Sequence, residues 1–413
     1  MKIDIYENFD LRLDDRQVEI VERKGFGHPD TLADGVAEAI SYKYTKYCLK
    51  NFGYILHHNV DKISLLGGQS KAGFGFGELL KPIRVLINGR MSTSFGNEEI
   101  PIYEIATEAA KDFLAHVLPT INPETDLEFY DHLNRGGGAP HKGQRWFKPQ
   151  SVADLPETII PRATDTASLV AYWPYSKMEH LALSIESKIF YSEPFQQKYP
   201  HVGFDIKTMV IRKGKDVSIT MCAPFIGEKT PNLEFYQSEK DRVKHVILSY
   251  VQNYLGSEYN ATIDLNTRDN VETGDLFILA KGTALESGDE GIVGRGNRPM
   301  GFIPSFRPYT VEAPSGKNPT YFVGRVYDYY TRDLAHKLST ALRKPVNVYM
   351  MAQNGTALQT PSQFIVETET VDETTSKTIN DLCNQELEKT PKVFEDILVE
   401  VETKYPFLKT VHN

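Results

Sequence analysis

The sequence predicts an α+β protein made of three similar subdomains, each a half-buried sheet backed by helices. The main observation is an order of elements that occurs three times: a turn marked by glycine or proline, a helix, a pair of strands, a longer helix and another strand. The first helices begin roughly 140–150 residues apart, which is too long a period for a solenoid. The predicted segments are residues 1–134, 135–268 and 269–413, and the subdomains need not be continuous in the chain. Any α+β chain can be divided in this way, so that alternative stays open.

Helical and strand periods place the elements of each unit. The predicted helices are residues 30–49, 102–117, 177–190, 239–255, 319–337 and 373–388. The predicted strands are residues 54–66, 82–88, 207–212, 216–223 and a strand with Val346, Val348 and Met350. One face of the first helix carries Ala33, Val36, Ala37, Ile40, Tyr44 and Cys48. Each unit can therefore cover one face of a sheet with apolar helix faces.

Composition and charge exclude several classes of protein. Hydrophobic residues make up 40% of the 413-residue chain, and no apolar run reaches the roughly 20 residues that cross a bilayer. The net charge of −9, without a lysine or arginine tract, argues against nucleic acid as a partner. Three cysteines without metal-ligand spacing, and an N-terminus without an apolar signal core, indicate a reducing compartment. We therefore expect a cytoplasmic protein with no membrane or nucleic-acid partner.

The stretch Gly-Phe-Gly-His-Pro-Asp-Thr at residues 25–31 has the properties of an anion site at a helix start. Its glycines allow the backbone to approach a ligand, and Pro29 suits the first turn of a helix. His28 and Asp30 then stand at the helix N-terminus, where free N–H groups favour anions. A histidine there can donate to a leaving oxygen, and an aspartate can hold a hard cation. An ordinary helix start would explain the same residues, and this alternative stays open.

Four further clusters carry charges that suit anions and cations. Asp205 and Lys207 face one way at the start of a strand, which predicts either a shared metal–phosphate site or a surface ion pair. Residues 288–298 combine four glycines with two acids and two arginines, which predicts a loop for metal-triphosphate binding or a solvated turn. Lys317 would lie just before a helix N-terminus, another anion position. Asp165 precedes a strand-like run.

Residues 134–161 interrupt the repeat. This segment is rich in glycine, proline and charge and has little periodicity, which is typical of lids or disordered segments, and we predict a lid. Neither this segment nor the glycine-rich residues 73–77 contain the Gly-Lys-Ser/Thr ending of a Walker loop, so a P-loop enzyme is not expected. His57 and His58 would point to opposite faces of a strand, so a shared zinc ion is not expected either.

These clusters, in this order, resemble S-adenosylmethionine synthetase (methionine adenosyltransferase), and its archaeal-type branch is the closer match. The stretches that carry the resemblance are residues 21–30 (Val-Glu-Arg-Lys-Gly-Phe-Gly-His-Pro-Asp), 55–59 (Ile-Leu-His-His-Asn), 203–207 (Gly-Phe-Asp-Ile-Lys), 288–298 and 315–319 (Ser-Gly-Lys-Asn-Pro). The resemblance implies three α+β subdomains around a pseudo-threefold axis. It also implies a homodimer, or a pair of dimers, with active sites at the subunit interface.

The implied reaction joins ATP and L-methionine to give S-adenosylmethionine, and then cleaves the released tripolyphosphate to pyrophosphate and phosphate. The implied cofactor is Mg²⁺, often with K⁺. Two other classes stay open, namely another ATP-dependent enzyme, such as a ligase or phosphotransferase, and a non-catalytic ATP-binding regulatory paralogue. Product analysis separates the first from a synthetase, and ATP binding without turnover would indicate the second.

The resemblance further implies roles for individual residues. The implied phosphate-binding and catalytic residues are His28, Lys207, Arg295 and Lys317. The implied metal ligands are Asp30, Asp205 and Asp289, and the implied acids of the methionine pocket are Glu22, Asp165 and Asp289. The archaeal branch assigns to ATP a glycine turn that here contains Gly136, Gly137 and Gly138. His28 resembles the histidine that contacts the triphosphate near the departing 5′ oxygen.

The chain departs from the better-known branch of that family at two positions. Gly296 stands where that branch has a lysine, and Arg298 is a candidate to compensate by binding ATP. Tyr321 stands where that branch has another lysine, four residues beyond the equivalent of Lys317. The residues that contact methionine are therefore less well determined by the resemblance than those that contact the phosphates.

Overall fold

The computed structural model describes residues 2–136, 143–155 and 160–412. The helices are Pro29–Phe52 (α1), Ile102–Val117 (α2), Gly143–Phe147 (α3), Lys177–Ile185 (α4), Glu193–Lys198 (α5), Leu233–Leu255 (α6), Val323–Leu342 (α7), Glu373–Leu387 (α8) and Val393–Lys404 (α9). The strands are Asp4–Glu7 (β1), Val18–Lys24 (β2), His58–Asn59 (β3), Ser64–Leu66 (β4), Gln69–Gly73 (β5), Phe76–Lys81 (β6), Ile83–Met91 (β7), Ser94–Phe95 (β8), Glu98–Glu99 (β9), Leu127–Asn134 (β10), Ser168–Trp173 (β11), Lys207–Lys213 (β12), Asp216–Cys222 (β13), Phe225–Ile226 (β14), Asn260–Leu265 (β15), Ile278–Leu279 (β16), Gly291–Ile292 (β17), Ile303–Pro304 (β18), Val346–Met351 (β19) and Gln363–Thr368 (β20).

The larger sheets share one arrangement of strands. Their orders are β10-β7-β4-β17 with β3 also on β7, then β15-β13-β12-β2-β18, and β1-β20-β19-β11. Each contains an antiparallel pair (β4 and β7, β12 and β13, β19 and β20) and a parallel edge strand (β10, β15 and β1). Parallel neighbours need a crossover, which α2 and α6 provide in the first two sheets. The α+β prediction is therefore confirmed.

The sheets exchange strands between the predicted segments. β2 comes from the first segment but pairs with β12 of the second, and β18 of the third segment pairs with β2 in turn. Likewise β17 pairs with β4, and β1 completes the sheet of β20. The division at residues 134 and 268 therefore stays a prediction about sequence units, while each sheet is assembled from distant parts of the chain.

Side-chain caps begin four of the described helices, namely α1, α4, α6 and α8. The Asn232 side chain accepts a hydrogen bond from Phe235 N at 2.8 Å, so α6 begins at Leu233, one and a half turns before the predicted start. Ser176 and Glu179 form a capping box at the start of α4. After Ile185 the predicted helix continues as a π-helical turn, Glu186–Phe190. The predicted bounds of residues 102–117 are confirmed.

The prediction that a helix starts directly after Lys317 is wrong, because α7 begins at Val323. Lys317 instead forms a β-bridge with Asn59, and Gly316 O accepts from Val60 N at 2.8 Å. The Asn318 side chain then donates to Leu56 O at 3.0 Å. These contacts keep the segment extended, so Lys317 does not lie at a helix N-terminus.

Two apolar clusters form the core. One lies under the sheets of β12 and β19 and includes α4, α6 and α7. The other joins α1 and α2 to the sheet of β7 and also takes in Val401 and Tyr405 near the C-terminus. Within the residues that the structure describes, no helix combines the length and the apolar character that crossing a membrane requires.

Candidate active site

The glycine turn between β2 and α1 lies directly against the segment before β12. Gly25 N donates to Ile206 O at 2.7 Å. A Cβ atom on Gly27 would lie 2.2 Å from Phe204 O, so only glycine fits this position. The start of α1 and the start of β12 are therefore held together, although about half of the chain separates them in sequence.

His28 is the N-cap of α1. Its Nδ1 accepts a hydrogen bond from Asp30 N at 3.2 Å, and Pro29 occupies the first helical position. Because Nδ1 accepts, Nε2 carries the ring proton and is the available donor. Burial lowers the pKa of His28 to about 4, with Lys24 and Lys207 acting in the same direction. The imidazole is therefore neutral near pH 7 and donates through Nε2.

Asp30 is held by groups on both sides of the helix start. Its Oδ2 accepts from Lys24 Nζ at 2.9 Å, and its Oδ1 accepts from Ile292 N at 3.1 Å. Lys24 Nζ also donates to Arg295 O at 2.7 Å. One ammonium thus connects the end of β2, the start of α1 and the loop of residues 288–298.

Lys207 and Asp289 lie near His28, and Asp205 lies near both of them and near Asp30. Burial raises the pKa of Asp205 to about 7; a hydrogen bond from Ala284 N and the charge of Lys207 oppose this, whereas Asp289 and Asp30 reinforce it. Lys207 Nζ forms an ion pair with Glu22 Oε1 at 3.0 Å, whereas the open alternative was a surface pair of Lys207 with Asp205, which is buried. We call His28, Asp30, Asp205, Lys207 and Asp289 the His28 cluster.

The acids of the His28 cluster fit Mg²⁺ as single ligands beside a bound polyphosphate, not as a complete protein site. Within the described ranges, no three His, Cys, Asp or Glu side chains converge as a ready-made metal site. Mg²⁺ is usually held by one or two carboxylates together with waters and substrate phosphates, rather than by an all-protein cage. Asp30, Asp205 and Asp289 can therefore supply single ligands to a cation that a bound polyphosphate also holds.

The loop of residues 288–298 packs onto the first turns of α1. A Cβ atom on Gly291 would lie 2.0 Å from Pro29 O, and Gly294 N donates to Asp34 Oδ1 at 2.8 Å. The Arg298 guanidinium donates to Gly294 O at 2.6 Å and, at longer distances, to the carbonyls of Gly296 and Thr310. Arg298 therefore shapes the loop that carries Arg295.

A second depression, the outer cleft, contains the remaining predicted charges. It is lined by Asn59, Asp61, Lys62, Arg90, Asp165, Ile292, Val293, Gly294, Arg295, Val311, Glu312, Ala313, Lys317 and Phe322. Lys317 is buried and pairs with Glu312, and its Nζ lies 3.8 Å from Asp61 Oδ2. Asp165 and Arg295 are exposed. The outer cleft thus brings together Asp165, Arg295 and Lys317.

The predicted site residues therefore fall into two groups on one chain. The His28 cluster and the outer cleft adjoin through the loop of residues 288–298, whose Arg295 carbonyl touches Lys24 while its side chain lines the cleft. Lys317 pairs with Glu312 and approaches Asp61 in the outer cleft, rather than pairing with a residue of the His28 cluster. Gly136 N donates to Asn134 Oδ1 at 3.1 Å, whereas Gly137, Gly138 and parts of the predicted lid lie outside the described residues.

The structure also shows functional neighbours that sequence reasoning missed. Lys24 directly precedes the glycine turn at the end of an alternating strand, and this position was a usable signal in the sequence. The structure then pairs Lys24 with Lys207 across β2 and β12. Glu312 and Asp34 had no local signal, because their partners lie far away in sequence. The Tyr321 hydroxyl lies 2.7 Å from His57 Nδ1 in the interior, so this departure from the family pattern is part of the packing.

The His28 cluster combines a neutral histidine with a lysine and three carboxylates, which are groups that suit an enzyme acting on a polyanion together with a hard metal ion. The family model for S-adenosylmethionine synthetase (AdoMet synthetase) matches residues 1–401, so this chain belongs to that family. The predictions of the family and of a methionine adenosyltransferase are confirmed.

Individual relatives agree with the family. The S-adenosylmethionine synthase of Pyrobaculum aerophilum is 35% identical over 392 residues, covering 93% of this chain and 95% of that protein. That of Hyperthermus butylicus is 34% identical over 356 residues, covering 84% of each. An uncharacterised protein of Streptococcus pyogenes serotype M3 is 37% identical over 356 residues, covering 85% of this chain and 86% of its own length. An unusual S-adenosylmethionine synthetase from Campylobacter jejuni has a similar fold, with a TM-score of 0.55 at 15% identity, covering 95% of this chain and 97% of the other.

Proposed function

We propose that this chain makes S-adenosylmethionine by in-line attack of the methionine sulfur on C5′ of ATP, and then hydrolyses tripolyphosphate to pyrophosphate and phosphate. The observation that carries the mechanism is the state of His28: a half-buried, neutral imidazole with Nδ1 occupied and Nε2 available at a helix N-terminus. A thioether sulfur is neutral and needs no general base. Catalysis then consists mainly of positioning the reactants and stabilising the charge that develops on the leaving group.

His28 Nε2 is proposed to donate to the departing 5′ oxygen, where a preorganised neutral donor is effective in a buried site. Lys207, Arg295 and Lys317 would supply cations to the phosphates, and Asp30, Asp205 and Asp289 are the residues that would hold Mg²⁺. Mg²⁺, when bound, neutralises charge on the tripolyphosphate; a requirement for K⁺ belongs to the same proposal. The neighbourhood of Lys207, Asp30 and Asp289 around His28 supports these roles.

The substrate contacts are proposed at lower detail. Glu22, Asp165 and Asp289 are assigned to the methionine pocket, and the glycine turn with Gly136, Gly137 and Gly138 to ATP. The ion pair of Glu22 with Lys207 supports a place for Glu22 beside the phosphates. Arg298 is proposed to act through the loop that it braces, since its guanidinium already serves backbone carbonyls.

We further propose a homodimer with active sites at the interface, and a pseudo-threefold relation between the sheets. On one chain, His28 and Lys317 belong to two different groups of site residues, and this supports the homodimer. A second copy could place its outer cleft against the His28 cluster. The pseudo-threefold relation is supported by the shared strand order of the larger sheets.

The test is incubation of the full chain with ATP, methionine and Mg²⁺, followed by mass detection of the sulfonium product and separate measurement of phosphate and pyrophosphate. Formation of all three products is expected. Phosphate release without the sulfonium would identify another ATP-dependent enzyme. Binding of ATP without any product would identify a regulatory paralogue.

A further inference from the structure

A polar cavity lies between α1, α7, α9 and the loop that follows β17. Its volume is about 110 Å³. Since roughly 10–15 Å³ of such space holds one water molecule, it has room for several waters or one small ion, but not for a nucleotide. We call it the inner cavity, and the residues used below to describe it are Asp34, Glu38, Arg298, Arg325, Arg332 and Lys404.

Most charged side chains around the inner cavity already have partners. Arg325 Nη2 lies 2.6 Å from Glu38 Oε1, and Arg332 pairs with Asp328 at 2.8 Å and also with Glu400. Arg23 pairs with Glu186 and Glu312 with Lys317. Of the cavity's charged residues, all of which the structure describes, Asp34, Arg298 and Lys404 are in no ion pair. The Arg298 guanidinium and the Lys404 ammonium therefore line the inner cavity together with the Asp34 carboxylate.

Among the residues that the structure describes, Lys404 has no carboxylate partner, and its side chain forms a hydrogen bond with Tyr405. Water reaches its side chain, although protein surrounds it on most sides, and its Nζ lies 5.1 Å from the centre of the Tyr405 ring. Tyr405 is the main cause of the raised pKa of Lys404; Glu38 and Asp34 act in the same direction, and burial opposes them. Burial in turn raises the pKa of Asp34, and the charges of Lys404 and Arg298 lower it. The three groups are therefore close enough to act on one small ligand without touching one another.

We propose that the inner cavity binds a small oxyanion of the phosphate class, held by the Lys404 ammonium and the Arg298 guanidinium. An ammonium and a guanidinium that line one cavity are suited to charge-assisted hydrogen bonds with such an anion. Arg298 donates to carbonyls through Nη1 and Nη2, and a guanidinium carries a further donor at Nε. The inner cavity shares Gly294, Glu312 and Ala313 with the outer cleft, so an occupant lies directly behind the loop that carries Arg295. Binding itself does not depend on the proposed catalytic function.

The test is calorimetric titration of the full chain with inorganic phosphate at pH 8, without ATP or methionine. Because the His28 cluster is also expected to attract phosphate, the titration is repeated with Lys207→Met, which removes a cation from that cluster and leaves the inner cavity intact. The inner cavity is expected to bind one phosphate per chain in both proteins, and any second phosphate that wild type binds at the His28 cluster should be lost in Lys207→Met. If Lys207→Met abolishes all binding, the inner cavity is not a phosphate site.

Variants of the inner cavity should move the affinity in opposite directions. Lys404→Gln should weaken binding about ten-fold or more through loss of a charge-assisted hydrogen bond. Asp34→Asn should strengthen binding several-fold, since it removes a negative charge while its amide oxygen can still accept from Gly294 N. Lys409→Gln, which disrupts an ion pair with Glu402 on the surface, is the matched control and should change nothing.

Unchanged affinity in Lys404→Gln would overturn the proposal, as would weaker binding in Asp34→Asn. The Asp34 variant keeps the test informative if Lys404→Gln fails to fold, because a gain in affinity requires a folded site. Sulfate should compete with phosphate, whereas acetate should bind at least ten-fold more weakly. Acetate binding as tight as phosphate would overturn the assignment to the phosphate class. A chain with no synthetase activity would still give a clear answer, because only binding is measured.

Discussion

At the scale of single residues, His28 combines a structural and a chemical task in one ring. Nδ1 caps α1, and this fixes the proton on Nε2, where the leaving oxygen is expected. The two tasks can be separated by substitution, because an asparagine can accept the capping hydrogen bond but cannot place a donor where Nε2 lies.

We predict that His28→Ala lowers turnover about 10²–10³-fold, as removal of a preorganised donor does in other enzymes. It should also lower the free energy of unfolding by about 0.5–2 kcal/mol through loss of the cap. His28→Asn should lose turnover similarly but keep most of the stability. Steady-state kinetics and urea titrations measure both effects. Normal synthesis by a folded His28→Ala protein would refute the role.

A second prediction at this scale concerns the buried acid Asp205. Its pKa is raised to about 7, so above that pH the folded protein carries an ionised carboxylate that the unfolded chain solvates better. Asp205→Asn should therefore increase the free energy of unfolding at pH 8 by about 2–4 kcal/mol, since one pKa unit corresponds to about 1.4 kcal/mol. Activity should be lost, because a proposed metal ligand is removed.

The stability gained by Asp205→Asn should depend on pH, because the buried carboxylate is unfavourable only while it is ionised. As the pH falls below 7 the folded protein takes up the proton, and the advantage of Asp205→Asn should shrink until it vanishes near pH 4, where the unfolded chain is protonated as well. Thermal unfolding in the presence of EDTA across pH 4–8 measures the difference. Asp165→Asn, at an exposed carboxylate, is the control. An advantage that stays constant with pH would contradict the burial argument.

At the scale of elements, the site depends on how a loop meets a helix end. The loop of residues 288–298 has little regular structure, yet Gly291 and Gly294 let its backbone contact the first turns of α1 at Pro29 O and Asp34. Lys24 adds a side-chain link from β2 to both elements. A mobile segment between two rigid elements gains order from such contacts, because each reduces the conformations open to it.

We predict that Lys24→Met lowers kcat/KM for ATP about ten-fold or more, because the Arg295 carbonyl and Asp30 lose a common donor. Stability should fall by about 1–3 kcal/mol, the range for hydrogen bonds to a charged group. Lys213→Met, an exposed lysine on neighbouring β12, is the matched control. Initial rates at varied ATP and urea titrations measure the two effects. Equal behaviour of both variants would show that Lys24 has no positioning role.

At the scale of the whole molecule, one chain presents two adjoining groups of site residues. Lys317 is buried with Glu312 and Asp61 in the outer cleft, while His28 and Lys207 lie in the His28 cluster. In a twofold-symmetric dimer, two unlike patches on each chain can meet twice, which gives two equivalent composite sites. This is the physical basis for the proposed interface active site.

Composite sites predict complementation between inactive variants. His28→Ala and Lys317→Ala should each be inactive alone, but a heterodimer of the two would contain one site with both residues intact. Random pairing after co-expression should therefore restore about one quarter of wild-type activity. Activity assays on the mixture, with native mass spectrometry to count heterodimers, measure this. Heterodimers without activity would mean that each site is built from a single chain.

The sequence by itself determined the elements whose causes are local. Apolar periodicity predicted α2 to the residue, and the turn before α1 predicted the helix start to within one residue, because capping residues and period act within a few positions. The family resemblance rested on the same short stretches. The prediction of a helix start after Lys317 was wrong, because contacts with Asn59 and Leu56 impose an extended backbone there. No local pattern reveals these contacts.

Only the tertiary structure decided which charged groups meet. Burial gives His28 and Asp205 their shifted pKa values, and burial depends on segments that lie far apart in sequence. The same holds for the strand exchange that puts β2 between β12 and β18, and for Lys404 reaching the inner cavity from the C-terminal helix. Electrostatic coupling follows distance in space, so spacing along the chain predicted the types of residue in the site but not which of them act together.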